Sequence, residues 1–92
     1  MKPIALTHSL RAQLRKLPKP FRRKVGERLQ QLEQAFGDPH QHLGLGIRPL
    51  KRDDYEIRLD LKQRLVFKNN PDQLVALFIG NHNEVQRYLK SR

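Results

Sequence analysis

The sequence contains no cysteine and no tryptophan among its 92 residues. Without thiols the chain cannot form disulfides, zinc–thiolate centres or a cysteine nucleophile, and this composition fits a reducing compartment. No apolar run approaches the roughly 20 residues that cross a membrane, and the first nine residues lack the apolar segment of a secretory signal. We therefore expect a cytoplasmic protein without a membrane partner, and nothing in the composition calls for a cofactor.

Acidic residues are also scarce. Nine Asp and Glu stand against 19 Lys and Arg, which gives a net charge of +10. Such a charge favours a polyanionic partner, because phosphate contacts release counterions. Nucleic acid, the ribosome or an acidic protein would each satisfy it, and a basic domain without such a partner is the alternative. The length predicts a single domain over residues 1–92 with a small core.

The first half of the chain reads as a weak strand over residues 2–6 followed by two helices. Thr7 can cap the first helix, and Pro18 and Pro20 would end it. A longer amphipathic helix should then run until Gly37. Apolar residues recur at helical spacing throughout: Leu10, Leu14, Leu17, Phe21, Val25, Leu29, Leu32 and Phe36.

Residues 37–46 include three glycines and the dipeptide Asp38-Pro39. This composition stops both helix and strand, so it predicts a loop. The pair His40 and His42 has the spacing of two metal ligands, but no third ligand of matching spacing completes a site. We therefore predict no metal site here.

The second half is rich in strands. Residues 55–59 and 64–68 alternate apolar and polar side chains, with turn residues between the runs, which predicts antiparallel hairpins. The uninterrupted apolar run 74–79 predicts a strand that is covered on both faces. A final helix should begin near Asn81, because Glu84 stands at the spacing of a capping box.

The polar positions of these strands form one predicted group. If the apolar set faces the helices, Glu56 and Arg58 lie on the opposite, open face, where Arg64 and Lys68 of the neighbouring strand join them. His82 follows the last strand at the start of the final helix, where unpaired amides favour a phosphate. The pattern therefore predicts that Arg58, Arg64 and His82 converge on one phosphate.

This group suits metal-free cleavage of RNA. Arginines match the charge that grows on the phosphoryl oxygens, and a histidine at position 82 suits proton transfer. Glu56 would orient a group or act as the base. The structural alternative is that Glu56 forms cross-strand ion pairs with the arginines while His82 merely begins a helix. Five further basic residues are candidate RNA contacts: Arg48, Lys51, Arg52, Lys68 and Arg87.

The order and spacing of several short motifs resemble the RelE/ParE superfamily of type II toxin–antitoxin toxins. The resemblance implies an α+β fold with an N-terminal helix hairpin packed on a small antiparallel sheet and a short C-terminal helix. It also implies a cognate antitoxin, assembly as a homodimer or a toxin–antitoxin hetero-oligomer, and cleavage of mRNA on the ribosome. The motifs are Leu17-Pro18, Pro49-Leu50-Lys51, Tyr55-Glu56-Ile57-Arg58-Leu59, Arg64-Leu65-Val66-Phe67 and Gly80-Asn81-His82-Asn83-Glu84-Val85.

Residue by residue, the resemblance matches Arg58 and Arg64 to positions that hold the scissile phosphate, and His82 to a position that is Arg or His. The chain departs from the pattern at Glu56, where Lys is common, and at Gln86, where an aromatic residue is common. The expected function is therefore a ribosome-dependent mRNA endonuclease. The alternatives are a ParE-like inhibitor of DNA gyrase and a non-catalytic domain that binds nucleic acid or an antitoxin.

Overall fold

The computed structural model describes residues 2–91, which form five strands and four helices. Besides the predicted helix hairpin, sheet and final helix, the chain has a strand at Ile4–Leu6 and a short helix at Pro39–Leu45. In chain order the elements are β1 (Ile4–Leu6), α1 (His8–Arg15), α2 (Lys19–Ala35), α3 (Pro39–Leu45), β2 (Arg48–Pro49), β3 (Asp54–Arg58), β4 (Arg64–Asn69), β5 (Leu74–Gly80) and α4 (His82–Lys90).

The strands form one sheet in the order β1-β5-β4-β3-β2. The α+β class is confirmed, and β2 to β5 are antiparallel to their neighbours, as the short connections predicted. The prediction of a purely antiparallel sheet is wrong at one edge, because β1 runs parallel to β5. The whole chain from α1 to β4 separates these two strands, and a connection of that length permits a parallel pair.

The predicted boundaries of α1 and α2 agree with the local chemistry. Thr7 Oγ1 accepts a hydrogen bond from the Leu10 amide at 3.1 Å, which caps α1. Pro18 precedes α2 and Pro20 stands in its first turn, where a missing amide hydrogen costs nothing. Gly37 follows α2 with a φ of +100°, which a side chain would oppose.

Residues 37–46 do not form the predicted loop, because α3 occupies most of them. The Asp38 side chain accepts a hydrogen bond from the His40 amide at 3.1 Å, and Gly46 ends the helix with a φ of +72°. The residues that indicated a loop are therefore the caps of a short helix. His42 Nε2 accepts from the Gly37 amide at 2.9 Å, and its ring stacks on Phe36.

The sheet is covered on both faces. On one face α1 and α2 pack against Ile57, Leu65 and Phe67 in the main core. On the other face α4 places Val85 and Leu89 against Val66. The expectation that this second face is open along β4 is therefore wrong: α4 is amphipathic, and its apolar side buries the middle of the strand.

The described residues 2–91 contain no helix that is long and apolar enough to cross a membrane. The same part of the chain contains no group of three or more His, Cys, Asp or Glu residues placed to hold a metal ion.

A glutamine of α1 takes the place of a strand beside the end of β5. The β1 pairing stops at Ala76 of β5, so the backbone farther along that edge needs another partner. Gln13 supplies it: its Nε2 donates to the Ile79 carbonyl at 2.8 Å, and its Oε1 accepts from the Ile79 amide at 2.9 Å. This contact fixes β5 immediately before Gly80 and α4.

We expect Gln13→Ala to lower the free energy of unfolding by about 1–3 kcal/mol, because both backbone groups of Ile79 lose their partner. Gln30→Ala is the matched control, since Gln30 is an exposed glutamine of α2 and its loss should change stability by less than about 0.5 kcal/mol. Urea denaturation of the two variants measures the difference. Equal effects would show that the Gln13 contact contributes nothing.

Candidate active site

The register of the sheet aligns the predicted residues in one row. Arg58 of β3 pairs with Arg64 of β4, and Arg64 pairs with Gly80 of β5. Neighbouring strands lie about 4.8 Å apart, so the two arginines are adjacent on one face. The chain reaches His82 two residues after Gly80, and His82 lines a depression of about 240 Å³ together with Arg64. The structure thus brings these three residues to one end of the sheet.

The start of α4 is fixed by a tight turn after β5. A Cβ at Gly80 would lie 2.8 Å from the Phe78 ring and 2.9 Å from the Glu84 Cβ, so only glycine fits. The predicted capping box is confirmed: Asn81 Oδ1 accepts from the Glu84 amide at 2.9 Å, and Glu84 Oε1 accepts from the Asn81 amide at 2.8 Å. His82, the first helical residue, is exposed as a result.

Glu56 is buried beneath this row and carries two ion pairs. Its Oε2 accepts a hydrogen bond from Arg48 Nε at 2.7 Å and forms an ion pair with Arg64 Nε at 3.1 Å. The cross-strand ion pair that the structural alternative predicted is therefore present between Glu56 and Arg64. Arg58 is not part of it, because the ion pairs found among residues 2–91 do not include this exposed arginine.

Arginines from several elements surround one cleft of about 420 Å³ above Glu56. Arg28 of α2 was not predicted as a site residue, since the helical pattern does not reveal how α2 lies against the sheet. The end of α3 and the two residues that follow it form one wall. The cleft is lined by Arg28, Leu43, Gly44, Leu45, Gly46, Ile47, Arg48, Glu56, Arg58 and Arg64.

The other predicted RNA contacts lie apart from this cleft. Lys51, Arg52 and Lys68 line a second cleft of about 450 Å³, which Leu89 near the end of α4 also lines. Arg87 lies beside Tyr88 in a shallow depression. The expectation that Lys68 shares one open face with Glu56, Arg58 and Arg64 is wrong, because α4 covers the strand between Arg64 and Lys68.

The aromatic residue of α4 packs within the fold. The Tyr88 ring stacks on Phe78 with centroids 4.5 Å apart and an angle of 4° between the planes. Gln86 is exposed on the same helix. The stacked tyrosine does not line the arginine cleft. Tyr88 therefore does not replace the aromatic residue that Gln86 lacks.

The turn between β3 and β4 is held by Asp60. Its Oδ1 accepts from the Gln63 amide at 2.6 Å and from the Lys62 amide at 2.8 Å. These bonds, the Gln63 bond foremost, lower the pKa of Asp60 from its ordinary value. The ionised carboxylate thereby fixes the loop that leads into Arg64.

Comparison with known proteins finds the same fold in solved toxin structures. RelE in the archaeal RelE–RelB complex from Pyrococcus horikoshii OT3 matches with a TM-score of 0.70 and 20% identity, over 87% of this chain and 93% of that one. The YoeB/ParE toxin from Agrobacterium tumefaciens matches with a TM-score of 0.63 and 20% identity, over 89% of this chain and 99% of that one. A RelE mutant from E. coli, solved with an antitoxin RelBc peptide, matches with a TM-score of 0.64 and 17% identity, over 99% of this chain and 94% of that one.

No family model and no curated protein matches the sequence. At these identities the likeness establishes the fold, and the chain has the fold of the RelE toxins, as the sequence motifs predicted.

We expect Gly46→Ala to lower the free energy of unfolding by about 1–3 kcal/mol. The alanine would have to adopt a φ of +72°, and its Cβ would lie 2.8 Å from the Arg58 Cβ. Gly26→Ala is the control, because Gly26 is helical with open space around it and should gain about 0.5–1 kcal/mol. Thermal and urea unfolding measure both. A stabilised Gly46→Ala protein would contradict the close approach of this backbone to Arg58.

Proposed function

We propose that this protein is the toxin of a type II toxin–antitoxin system and that it cleaves mRNA on the ribosome. The observation that supports this most strongly is the row of Arg58, Arg64 and Gly80, which places Arg58 beside Arg64, while Arg64 shares a depression with His82. The fold likeness to the RelE and YoeB/ParE toxins agrees with it.

The proposed reaction uses the RNA itself as the nucleophile. The 2′-hydroxyl attacks the neighbouring phosphorus, the O2′–P bond forms and the P–O5′ bond breaks. A base takes the proton from the 2′-hydroxyl and an acid gives a proton to the leaving 5′-oxygen. The products are a 2′,3′-cyclic phosphate and a 5′-hydroxyl, so no further reactant is needed.

Arg58 and Arg64 stabilise the phosphoryl oxygens in this proposal. Guanidinium groups stay charged and present donors in a fixed fork, which suits the extra negative charge of the transition state. Arg64 is held by Glu56 before the RNA arrives, so its donors are already oriented. Arg58 is exposed and can close on the phosphate from the neighbouring strand.

His82 transfers a proton. It is exposed at the start of α4 and shares a depression with Arg64, so the ring can approach an oxygen of a phosphate held there. A histidine changes its protonation state near neutral pH, which suits both the acid and the base role. The amide end of α4 adds positive potential at the same place.

The proposed partners follow from charge and shape. A net charge of +10 suits the mRNA and ribosomal RNA backbones. Two exposed leucines, Leu43 at 88% and Leu61 at 93% exposure, border the depressions on either side of Arg64. We propose that a cognate antitoxin covers this area with a segment that carries both acidic and apolar residues.

One observation favours a second candidate function. Tyr88 is stacked on Phe78 and Gln86 is hydrophilic, so the described chain presents no aromatic ring of α4 in the arginine cleft for a base to stack on. A toxin that binds DNA gyrase or another target without cleaving RNA would not need such a ring.

Binding of the antitoxin should weaken with salt, because the proposed contact is between opposite charges. Calorimetry of the toxin with its antitoxin peptide between low and high salt measures the dependence. Arg58→Ala should reduce the salt dependence, whereas Arg15→Ala, on the exposed end of α1, is the control for a general loss of charge. An affinity that does not change with salt would contradict the charge argument.

Induction of the free protein should arrest growth and produce cuts within translated mRNA, which primer extension detects. Arg64→Ala should slow cleavage roughly a hundredfold to a thousandfold, the usual cost of removing one preorganised donor. Arg15→Ala is again the charge control. Growth arrest without cuts, together with inhibited gyrase supercoiling, would replace the nuclease proposal by the second candidate.

A further inference from the structure

The geometry points to Glu56 as a positioning residue that joins Arg48 and Arg64 into one phosphate clamp, rather than as the base of the reaction. This inference rests on the proposed function, because it assigns roles within the same cleft. It adds Arg48, which the Arg58–Arg64 row does not contain, to the groups that contact the phosphate.

The clamp is visible in the atoms that make the two ion pairs. Nε is the atom of both Arg48 and Arg64 that approaches the same oxygen, Oε2 of Glu56: Arg48 donates a hydrogen bond to it at 2.7 Å, and Arg64 forms an ion pair with it at 3.1 Å. The two Nε atoms can therefore lie no farther apart than these two distances allow together. A guanidinium has five N–H donors, and Nε is the atom that faces Glu56 in each pair. The terminal amino groups of both arginines remain for a second anion.

Exposure orders the three side chains from the core toward the solvent. Glu56 is 4% exposed, Arg64 is 19% exposed and Arg48 is 58% exposed. An RNA phosphate that enters the cleft therefore meets the arginines before it can reach the carboxylate. All three residues line the same cleft, and so does Arg58.

The same arrangement opposes a role for Glu56 as base. A general base must come within about 2.6–3.2 Å of the hydroxyl that it deprotonates. Glu56 Oε2 already accepts a hydrogen bond from Arg48, forms an ion pair with Arg64 and belongs to a buried side chain. A 2′-hydroxyl that bonded this oxygen would have to compete with the pairs that hold the two arginines in place.

Glu56 also stabilises Arg48 and Arg64 close to each other before the phosphate binds. Two guanidinium groups side by side repel each other, and the carboxylate between them offsets that repulsion. The donors are then fixed in advance, and no reorganisation is required when charge develops on the phosphate. A carboxylate at position 56 thus supports phosphate binding even though it is negative itself.

The first experiment measures single-turnover cleavage of ribosome-bound mRNA by Glu56→Gln as a function of pH. Misplaced donors should slow cleavage roughly a hundredfold, while the shape of the pH profile stays that of the wild type. Glu27→Gln, at an exposed position of α2, controls for the loss of a carboxylate. Disappearance of the ascending limb of the profile would identify Glu56 as the base and overturn the inference.

The second experiment begins with the substitution of an exposed residue. Arg48 is exposed, and we expect Arg48→Ala and Arg48→Lys to be equally defective, because one ammonium cannot bond Glu56 and a phosphate as a fork does. Both substitutions should lower the cleavage rate at least tenfold more than Arg23→Ala on α2 does. In the Arg48→Ala protein, Glu56→Gln should have less effect than in the wild type, since part of its role is gone.

A binding assay separates failure of the clamp from failure of the proposed function. The probe is a 2′-O-methyl RNA oligonucleotide, which cannot be cleaved by its own 2′-oxygen. The wild type should bind it at least tenfold more tightly than Arg48→Ala, whether or not the protein cleaves mRNA. Binding with this difference but no cleavage would contradict the nuclease and keep the clamp. Equal affinities for Arg48→Ala and Arg23→Ala, or no binding by the wild type, would overturn the clamp.

Discussion

The buried carboxylate of Glu56 is the constraint on which the edge of the sheet and the site both depend. A charge that is removed from water needs partners of opposite charge, and Glu56 finds them in Arg48 of β2 and Arg64 of β4. The β2 strand has only two residues, so its backbone pairing with β3 is slight. The ion pair across this edge therefore helps to hold β2 and keeps the arginines above the cleft.

The remaining parts of the site are positioned by the backbone. Gly46 lets the segment after α3 pass against Arg58, and Gly80 lets α4 begin directly beside β5. Gln13 holds the end of β5 from α1, so the helix layer on one face supports the residues that lead to His82 on the other. The site consequently lies where the ends of three strands and the start of a helix meet.

Much of the fold follows from local sequence rules. The alternation in residues 55–59 and 64–68 predicted β3 and β4, and the Asn81–Glu84 spacing predicted the start of α4, because these features are set within a few residues. The parallel pairing of β1 and the placement of α4 over Val66 depend on tertiary packing, which no local pattern specifies. The short helix α3 was missed because Asp, Pro and Gly indicate caps as well as loops.

The sequence predicted that Arg58 and Arg64 lie side by side, but it did not predict the ion pair between Arg48 and Glu56. The lengths of the turns made it reasonable to place Arg58 beside Arg64, and the register agrees. The pair of Glu56 with Arg64 was foreseen in the structural alternative. Its pair with Arg48 could not be predicted, since the two residues of β2 show no periodicity and Arg48 read only as one of many basic residues. The catalytic roles of Arg58, Arg64 and His82 remain a proposal.

Nuclear magnetic resonance of the arginine side chains can show whether Glu56 holds Arg48 and Arg64 at the cleft before RNA binds. The Nε–H signals of Arg48 and Arg64 should exchange slowly with water in the free protein, because Arg48 donates to the buried Glu56 and Arg64 Nε forms an ion pair with the same carboxylate. Addition of the 2′-O-methyl RNA should shift these two signals together with that of Arg58. Signals of Arg48 and Arg64 that exchange as fast as that of the exposed Arg23, and that do not respond to the RNA, would contradict the account.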